Sequence, residues 1–258
     1  MKLQEFSDTF DALLNSYNTQ AQFGDQASRS TIVLDEYEKS VILTQAQDII
    51  VKTYFDSKLN SQAQGFDDSE RRQVDFSSLI KSSVLTKASN QDSIFDKRGI
   101  IYKFPTKASD STTSDVLFVL NEKITIGSKD YVVIPISYKE YDREMSKAYA
   151  QPLKKQIWRL FQNNQSGFDI YSEIIPNVNL SGSTMVYKVR YVRRPNPIVL
   201  TDLPNDLSID GVTVSTECEL NPILHMDILN KALEIAVATR GGGSQGQIAQ
   251  ALNSSSPQ

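Results

Sequence analysis

The sequence has very few of the side chains on which most catalytic and metal sites depend. Among its 258 residues there is one cysteine, Cys218, and one histidine, His225. An internal disulfide and a multi-cysteine zinc site are therefore excluded. No apolar run approaches the roughly 20 residues that span a bilayer, and the first residues include acidic side chains where a signal peptide has its apolar centre. We expect a soluble protein that is not exported and has no membrane partner.

The chain also lacks an excess of basic residues. Its 27 Lys and Arg stand against 31 Asp and Glu, so the net charge is −4 and gives no general attraction to nucleic acid. The glycine-rich stretch 241–246 follows a predicted helix and lacks the Gly-Lys-Ser/Thr ending of a phosphate loop. Charged loops and solvated helix surfaces explain the close carboxylates Asp67/Asp68 and Asp142/Glu144 better than acid–base chemistry does. We predict no cofactor and no metal.

Cys218 and His225 are the one pair that could suggest nucleophilic catalysis. The helix predicted below places His225 in its first turn, whereas Cys218 lies on the extended segment before it. The spacing positions no third group. We therefore expect a buried thiol and a histidine without a catalytic role, and an enzyme that uses this pair is the weakest of three hypotheses.

The best-marked element is a C-terminal helix predicted over 221–240. Asn221 is a suitable N-cap, Pro222 suits the first helical position, and Gly241 suits the residue that follows the last turn. The apolar residues between these ends cover more than one face. This pattern is typical of a helix that packs on several sides.

Two further helices are predicted near the start of the chain. Apolar residues recur at three- and four-residue steps over 2–18, which indicates an amphipathic helix. A second helix begins at a capping box made by Asp35 and Glu38 and ends near Leu59. Two helices joined by one loop favour an antiparallel hairpin, so 1–60 is predicted as a helical hairpin that packs with the C-terminal helix.

The middle of the chain is predicted to be rich in β-strands. Ser137 and Glu140 form a capping box, which predicts a short helix over 138–150. The Asp210-Gly211 pair predicts a type I′ turn. The strands, of which the last three are expected to form an antiparallel meander, are predicted at 100–104, 116–120, 124–126, 131–136, 156–161, 168–175 and 184–194.

These elements give an α+β fold class. The N-terminal hairpin and the C-terminal helix form a connector-like helical bundle that closes round a large antiparallel β-rich middle. The predicted segments are 1–60 for the hairpin, 61–220 for the β-rich middle, 221–240 for the core helix and 241–258 for a flexible arm.

A basic strand is the most distinctive polar feature. Alternation places Lys188 and Arg190 on one face and the apolar and aromatic residues between them on the other. Binding of single-stranded nucleic acid would instead need aromatic side chains on the basic face, where bases can stack. A strand that faces solvent or a protein partner explains the pattern better, and a nucleic-acid-binding accessory protein is the second hypothesis. Arg193 and Arg194 could hold a corner or meet acidic groups across a subunit boundary.

Several stretches resemble structural proteins of crAss-like tailed bacteriophages. They are Leu-Asp-Glu-Tyr-Glu-Lys at 34–39, Tyr-Val-Arg-Arg-Pro-Asn-Pro-Ile-Val-Leu at 191–200, the turn at 209–212 and Cys-Glu-Leu-Asn-Pro-Ile-Leu-His at 218–225. The resemblance implies a non-enzymatic head-to-tail connector, one of the rings that stack below the portal in the neck and tail. It further implies synthesis in the host cytoplasm, a twelvefold ring of identical subunits, and contacts with the portal and the neighbouring ring proteins. Genomic DNA would pass through without sequence readout.

The last 18 residues, 241–258, contain three consecutive glycines and no charged or aromatic side chain. Such a segment cannot hold itself in place, so we predict a flexible arm. Ile248 and Leu252 are four residues apart, and a short helix would place both on one face, where they could fill a groove on a neighbouring subunit. The alternative is a disordered end without a role.

Deletion of residues 246–258 tests the docking arm. If the arm docks, truncated subunits enter particles less efficiently, because each loses two buried apolar side chains worth a few kcal/mol before ordering costs. Mass spectrometry of purified particles measures the subunit content. Normal incorporation into particles that stay closed around their DNA would show that no docking arm exists.

Overall fold

The computed structural model describes ten ranges, within which the helices and strands are as follows. The ranges are 1–23, 32–55, 70–88, 98–107, 114–147, 152–153, 155–163, 170–176, 185–204 and 206–240. The helices are α1 (Leu3–Phe23), α2 (Glu36–Phe55), α3 (Glu70–Asp75), α4 (Tyr138–Met145) and α5 (His225–Arg240). The strands are β1 (Ile80–Val84), β2 (Thr86–Lys87), β3 (Ile100–Lys103), β4 (Val116–Ile126), β5 (Lys129–Pro135), β6 (Gln156–Asn163), β7 (Ile170–Pro176) and β8 (Met185–Arg193).

The chain divides into two compact units, and one is inserted in the other. The helical unit comprises Met1–Leu79 and Pro195–Gln258, and the sheet unit is Ile80–Arg194. The helical unit thus takes in residues 61–79 and 195–220, which were predicted to belong to the β-rich middle. A mixed α+β class describes the chain as a whole.

Local sequence signals fix the helix starts in the helical unit. At the start of α2, the backbone N–H of Glu38 donates to Asp35 at 2.6 Å and the backbone N–H of Asp35 donates to Glu38 at 3.3 Å, which is the predicted capping box. Before α5, the Asn221 side chain accepts from the backbone N–H of Ile223 at 3.2 Å. This N-cap opens a 3-10 turn, Pro222–Leu224, that leads into α5, so the first turn of the predicted helix is tighter than an α-helix.

Helices α1 and α2 meet in a polar cluster near the start of α2. Ser7 donates to Glu36 at 3.2 Å, and Lys39 donates to Asp11 at 2.7 Å. The antiparallel hairpin stays a prediction. Helix α2 packs most extensively on α5, which α1 also contacts. Packing of both helices with the C-terminal helix is as predicted.

A buried polar stripe on α2 holds an extended segment of the helical unit. Ser40 and Gln47 are fully buried and Thr44 is 8% exposed. The Thr44 hydroxyl accepts from the Ile198 N–H at 3.1 Å and donates to the Ile198 carbonyl at 3.2 Å. Ser40 accepts from the Leu200 N–H at 3.0 Å. One helix face thus satisfies the backbone of 196–200 as a neighbouring strand would.

The same extended segment forms one side of a ribbon over 199–217. Val199 and Thr216 exchange backbone hydrogen bonds at 3.1 and 2.9 Å, and the Leu203 N–H donates to the Thr213 carbonyl at 2.7 Å. At the far end, Asp210 and Gly211 have φ values of 49° and 80°. Two positive φ angles in succession define the type I′ turn predicted from the Asp-Gly pair.

The sheet unit contains one eight-stranded sheet whose two edges belong to a single stretch of chain. The strand order is β1-β8-β4-β5-β6-β7-β3-β2. Only Leu85 separates β1 from β2, so the sheet curls round until it is nearly closed. Across its interior the Tyr102 and Tyr187 rings meet edge to face with centroids 5.3 Å apart. The neighbouring strands are antiparallel except for β5 and β6, which are parallel.

Three features of this sheet differ from the sequence-based prediction. The strands predicted at 116–120 and 124–126 are one strand, β4. The polar residues between them do not interrupt it, because Asn121 and Lys123 face outward while Glu122 is paired inside. Of the meander predicted over β6, β7 and β8, the antiparallel pairing of β6 with β7 is confirmed, but the pairing of β7 with β8 is wrong, since β7 pairs with β3 and β8 lies between β1 and β4. Strands β1 and β2 were not predicted, because 80–87 combines serine, lysine and threonine with few apolar residues.

The interior of the sheet holds a buried ion pair, and α4 covers part of its outer side. Arg159 Nε lies 2.8 Å from Glu122 Oε2, with side chains 5% and 6% exposed. On the outer side of β6 and β7, Tyr141 of α4 packs on Leu160 and Ile175. The predicted capping box at Ser137 begins α4. The remainder of the outer side, over β1, β8, β4 and β5, carries exposed residues.

Replacement of Thr44 by valine tests the polar stripe. Valine removes both hydrogen bonds to Ile198 and leaves buried backbone groups unpaired, so we expect a loss of about 1–3 kcal/mol in the free energy of unfolding. Urea unfolding followed by far-ultraviolet circular dichroism measures the loss.

The matched control is Thr53→Val on the same helix. The Thr53 hydroxyl donates only to the Ile49 carbonyl of its own helix, at 2.8 Å. This change should cost about 0.5 kcal/mol or less. Equal losses in the two variants would show that the stripe does not hold the extended segment.

Candidate subunit interface

Strand β8 presents two of its basic residues on the outer side of the sheet. Lys188 and Arg190 are exposed, whereas Tyr187, Val189 and Tyr191 are buried on the inner side. The alternation predicted from the sequence is confirmed. Because β8 pairs with β1 on one side and β4 on the other, both cations stand within the sheet surface and not on an edge strand.

Neighbouring strands extend this charged surface. Lys188 lies opposite Val84 of β1 and Lys123 of β4. Lys123 Nζ is 2.8 Å from Asp130 Oδ2, and the Thr125 hydroxyl donates to the other oxygen of Asp130 at 2.9 Å. These hydrogen bonds, together with the positive charges of Lys123 and Lys188, lower the pKa of Asp130. The carboxylate therefore stays ionised within a cluster of cations.

We call this surface the basic sheet face. It combines three cations and one carboxylate with two strongly exposed valines, Val84 at 55% and Val132 at 64% exposure. An interface that associates reversibly commonly mixes polar and apolar side chains in this way. Its members are Ser82, Val84, Lys123, Asp130, Val132, Lys188 and Arg190.

The aromatic residues of β8 belong to the interior network and not to the basic sheet face. The Tyr187 hydroxyl donates to Glu122 Oε1 at 2.7 Å, and Glu122 also accepts from Arg159. Burial, followed by the charge of Glu122, raises the pKa of Tyr187. Since its ring and that of Tyr191 are enclosed, neither can stack on a nucleotide base. This arrangement counts against the nucleic-acid hypothesis.

The other predicted interface residues lie elsewhere. Arg193 has the opposite orientation to Lys188 along β8, is half-buried, and donates from Nη1 to the Arg194 carbonyl at 3.2 Å. Arg194 is exposed just beyond the strand, where its backbone N–H donates to the Asp115 carbonyl at 3.0 Å. Arg193 therefore does not share the orientation of the basic sheet face, and Arg194 lies beyond the end of β8. Ile248 and Leu252, the glycine-rich 241–246 and the pair Asp67/Asp68 lie outside the described residues.

Sequence reasoning missed an acidic surface on the helical unit. No lysine or arginine occurs between Arg194 and Lys231. Within this stretch the ribbon over 199–217, which we call the acidic ribbon, also exposes Val214 at 61%. The sequence does carry a signal for this surface, because the stretch contains acidic residues and no basic ones. The small net charge of the whole chain conceals this local imbalance. The exposed carboxylates of the acidic ribbon are Asp202, Asp206, Asp210 and Glu217.

Cys218 and His225 both form hydrogen bonds with other residues of the helical unit. The Cys218 thiol donates to Gln47 at 3.3 Å, and burial raises its pKa to about 11, so it is protonated at neutral pH. His225 is 2% exposed, with Nε2 3.1 Å from the Leu220 carbonyl and Nδ1 3.2 Å from the Met1 nitrogen. Its ring also meets Phe6 edge to face at 5.1 Å. Both side chains are thus engaged by other groups of the helical unit.

Three further observations concern the close carboxylates, metal binding and membrane spans. Glu144 is engaged by Lys147 at 2.7 Å, as expected for a solvated helix surface. Within the described ranges, no group of three or more His, Cys, Asp and Glu side chains is placed to hold a metal ion. Among the helices of those ranges, none is long and apolar enough to cross a membrane.

The basic sheet face is an exposed surface that combines charged and apolar side chains, as protein–protein interfaces commonly do. The chain belongs to the phage tail ring protein 3/4 family, whose profile matches residues 1–247. The predicted resemblance to structural proteins of crAss-like phages is confirmed. Membership assigns the chain to the virion as a tail structural protein that assembles with other ring and tail proteins.

Two proteins of Bacteroides phage crAss001 are similar to the chain over nearly its whole length. Ring protein 4/5 is 40% identical over 252 residues, which cover 96% of this chain and 97% of that protein. Ring protein 3 is 29% identical over 245 residues, covering 93% and 96%. The family suggests a non-enzymatic role.

The surroundings of His225 predict a pH-dependent stability. Burial lowers its pKa below the usual value, so the folded chain holds the imidazole neutral while the unfolded chain takes up a proton near pH 6.5. The stabilisation is present above about pH 6.5 and is lost as the pH falls towards the folded-state pKa. We expect the thermal midpoint of the helical signal to drop by several degrees between pH 7.5 and 5.5.

The control is His225→Gln, which keeps a donor and an acceptor but does not titrate. It should be less stable than the wild type at pH 7.5 yet nearly flat over this range. Because His225 is the only histidine, no other side chain with an ordinary pKa titrates in the same window. Parallel pH profiles for the two proteins would contradict a depressed imidazole pKa.

Proposed function

We propose that this chain is a subunit of a ring in the neck and tail of a crAss-like phage, stacked below the portal as a head-to-tail connector. The observation that carries the proposal is the family match over 1–247, with two ring proteins as full-length relatives. Copies form a closed twelvefold ring around the channel through which genomic DNA passes. The portal and the neighbouring ring proteins are its partners.

The exposed surfaces support assembly through polar contacts. A ring that closes by rotation uses heterologous interfaces, in which two different patches of the same chain meet. The basic sheet face offers one patch with charge and apolar area together, and its exposure is compatible with a monomer that stays in solution before assembly. The enclosed Tyr187 and Tyr191 leave DNA binding by β8 as the less favoured alternative.

Cryo-electron microscopy of purified particles tests the proposal. We expect density for this chain in a closed ring below the portal, in which each copy contacts two neighbours through unlike surfaces. Quantitative mass spectrometry of the same particles should give a copy number that is a multiple of twelve. A symmetric dimer inside the particle, or a copy number matching the capsid shell, would contradict the proposal.

A further inference from the structure

The two units carry surfaces of opposite charge, and both surfaces are exposed to solvent. On the sheet unit, the basic sheet face carries Lys123, Lys188 and Arg190 against the single carboxylate of Asp130. Its cations lie on the adjacent strands β4 and β8, and Val84 of β1 is paired directly opposite Lys188. A neighbour that docks here must supply carboxylates and a small apolar contact.

The acidic ribbon of the helical unit has that chemistry. Asp206, Asp210 and Glu217 are exposed, and the ribbon contains no lysine or arginine to offset them. Val214 is 61% exposed between the carboxylates in the chain. The ribbon is also well fixed, because its first side is held by the polar stripe of α2 and its two sides are joined by backbone hydrogen bonds. A fixed surface binds at a smaller entropic cost than a loose one.

We propose that the basic sheet face of one copy docks on the acidic ribbon of the next copy in the ring, an inference that rests on the proposed function. The contact is heterologous, since two different patches meet, and it can therefore propagate round a closed ring. Charge complementarity orients the copies and excludes face-to-face or ribbon-to-ribbon pairing, because like charges would then oppose each other. The exposed valines on both surfaces form the apolar centre of the contact.

The observations favour a second copy over DNA as the occupant of the basic sheet face. Asp130 lies among the cations and would repel the closely spaced charges of a phosphate backbone. A protein surface carries its carboxylates at discrete positions, so these can contact the cations without facing Asp130. The aromatic side chains of β8 are enclosed and offer no base stacking. The acidic ribbon provides a complementary surface on the same polypeptide, present in every subunit at equal copy number.

Paired charge reversals test the contact in particles assembled from plasmid-encoded subunits when the phage copy of the gene is absent. The sheet-side variant is Lys188→Glu with Arg190→Glu, and the ribbon-side variant is Asp206→Lys with Glu217→Lys. All four positions are exposed, and Asp210 is left unchanged because its φ of 49° suits aspartate better than lysine. We expect each variant alone to enter particles at least tenfold less than wild type, with unchanged circular dichroism.

Co-expression of the two variants distinguishes this contact from other uses of the same surfaces. The acidic face of the first variant then meets the basic ribbon of the second, and the unchanged surfaces match as well, so alternating rings should restore incorporation to within about threefold of wild type. Failure of the mixture to rescue would overturn the proposal. So would normal entry of either variant alone.

Matched controls separate this inference from the proposed function. Lys139→Glu on α4 with Lys147→Glu just beyond it, and Asp8→Lys on α1 with Glu234→Lys on α5, change the charge equally at exposed sites elsewhere. If wild type and controls form rings while the patch variants do so too, the interface lies elsewhere and the ring function stands. If wild type forms no ring, the proposed function fails.

Binding to a 30-base-pair DNA duplex separates the second occupant. Loss of this binding in the sheet-side variant alone, without rescue of incorporation by the mixture, would assign the basic sheet face to DNA.

Discussion

The helical unit depends on one unusual interaction, in which the face of a helix replaces the neighbour of a strand. An extended segment normally satisfies its backbone by pairing with another strand, and buried unpaired N–H and C=O groups are costly. Here Ser40, Thr44 and Gln47, spaced along one face of α2, bind the backbone of 196–200. This fixes the return of the chain into the helical unit, and with it the start of the ribbon.

The sheet unit meets the same constraint with charged groups. Two ionised side chains inside a sheet are tolerated only if each is paired, because desolvation is expensive. Glu122 accepts from both Arg159 and Tyr187, and the Arg159 guanidinium also lies 3.9 Å from the Phe161 ring centre. Arg159 Nη1 has no hydrogen-bond partner among the described residues. The interior is thus specified by polar geometry as much as by apolar packing.

What could be predicted from the sequence was local. The capping boxes, the Asn221 cap, the Asp-Gly turn and the alternation along β8 depend on residues within a few positions of each other, and the structure shows all of them. The polar stripe joins Thr44 to Ile198, 154 positions apart, and no spacing rule connects them. The pairing of β7 with β3 is non-local in the same way. Lys188 and Arg190 of the basic sheet face were found because they lie on one strand. Lys123 and Asp130 join them only through strand pairing, and the acidic ribbon likewise required the folded chain to be seen.

The sheet unit begins and ends at neighbouring positions, so it could be exchanged as one segment. Ile80 enters the unit opposite Val192, which lies just before the chain leaves it, and residues paired in an antiparallel ladder have Cα atoms about 4.5–5.5 Å apart. A short turn could therefore rejoin Leu79 to Pro195 without stretching the chain. Recombination at this pair of positions would exchange the whole sheet, and with it the basic sheet face, while the helical unit kept its own sequence.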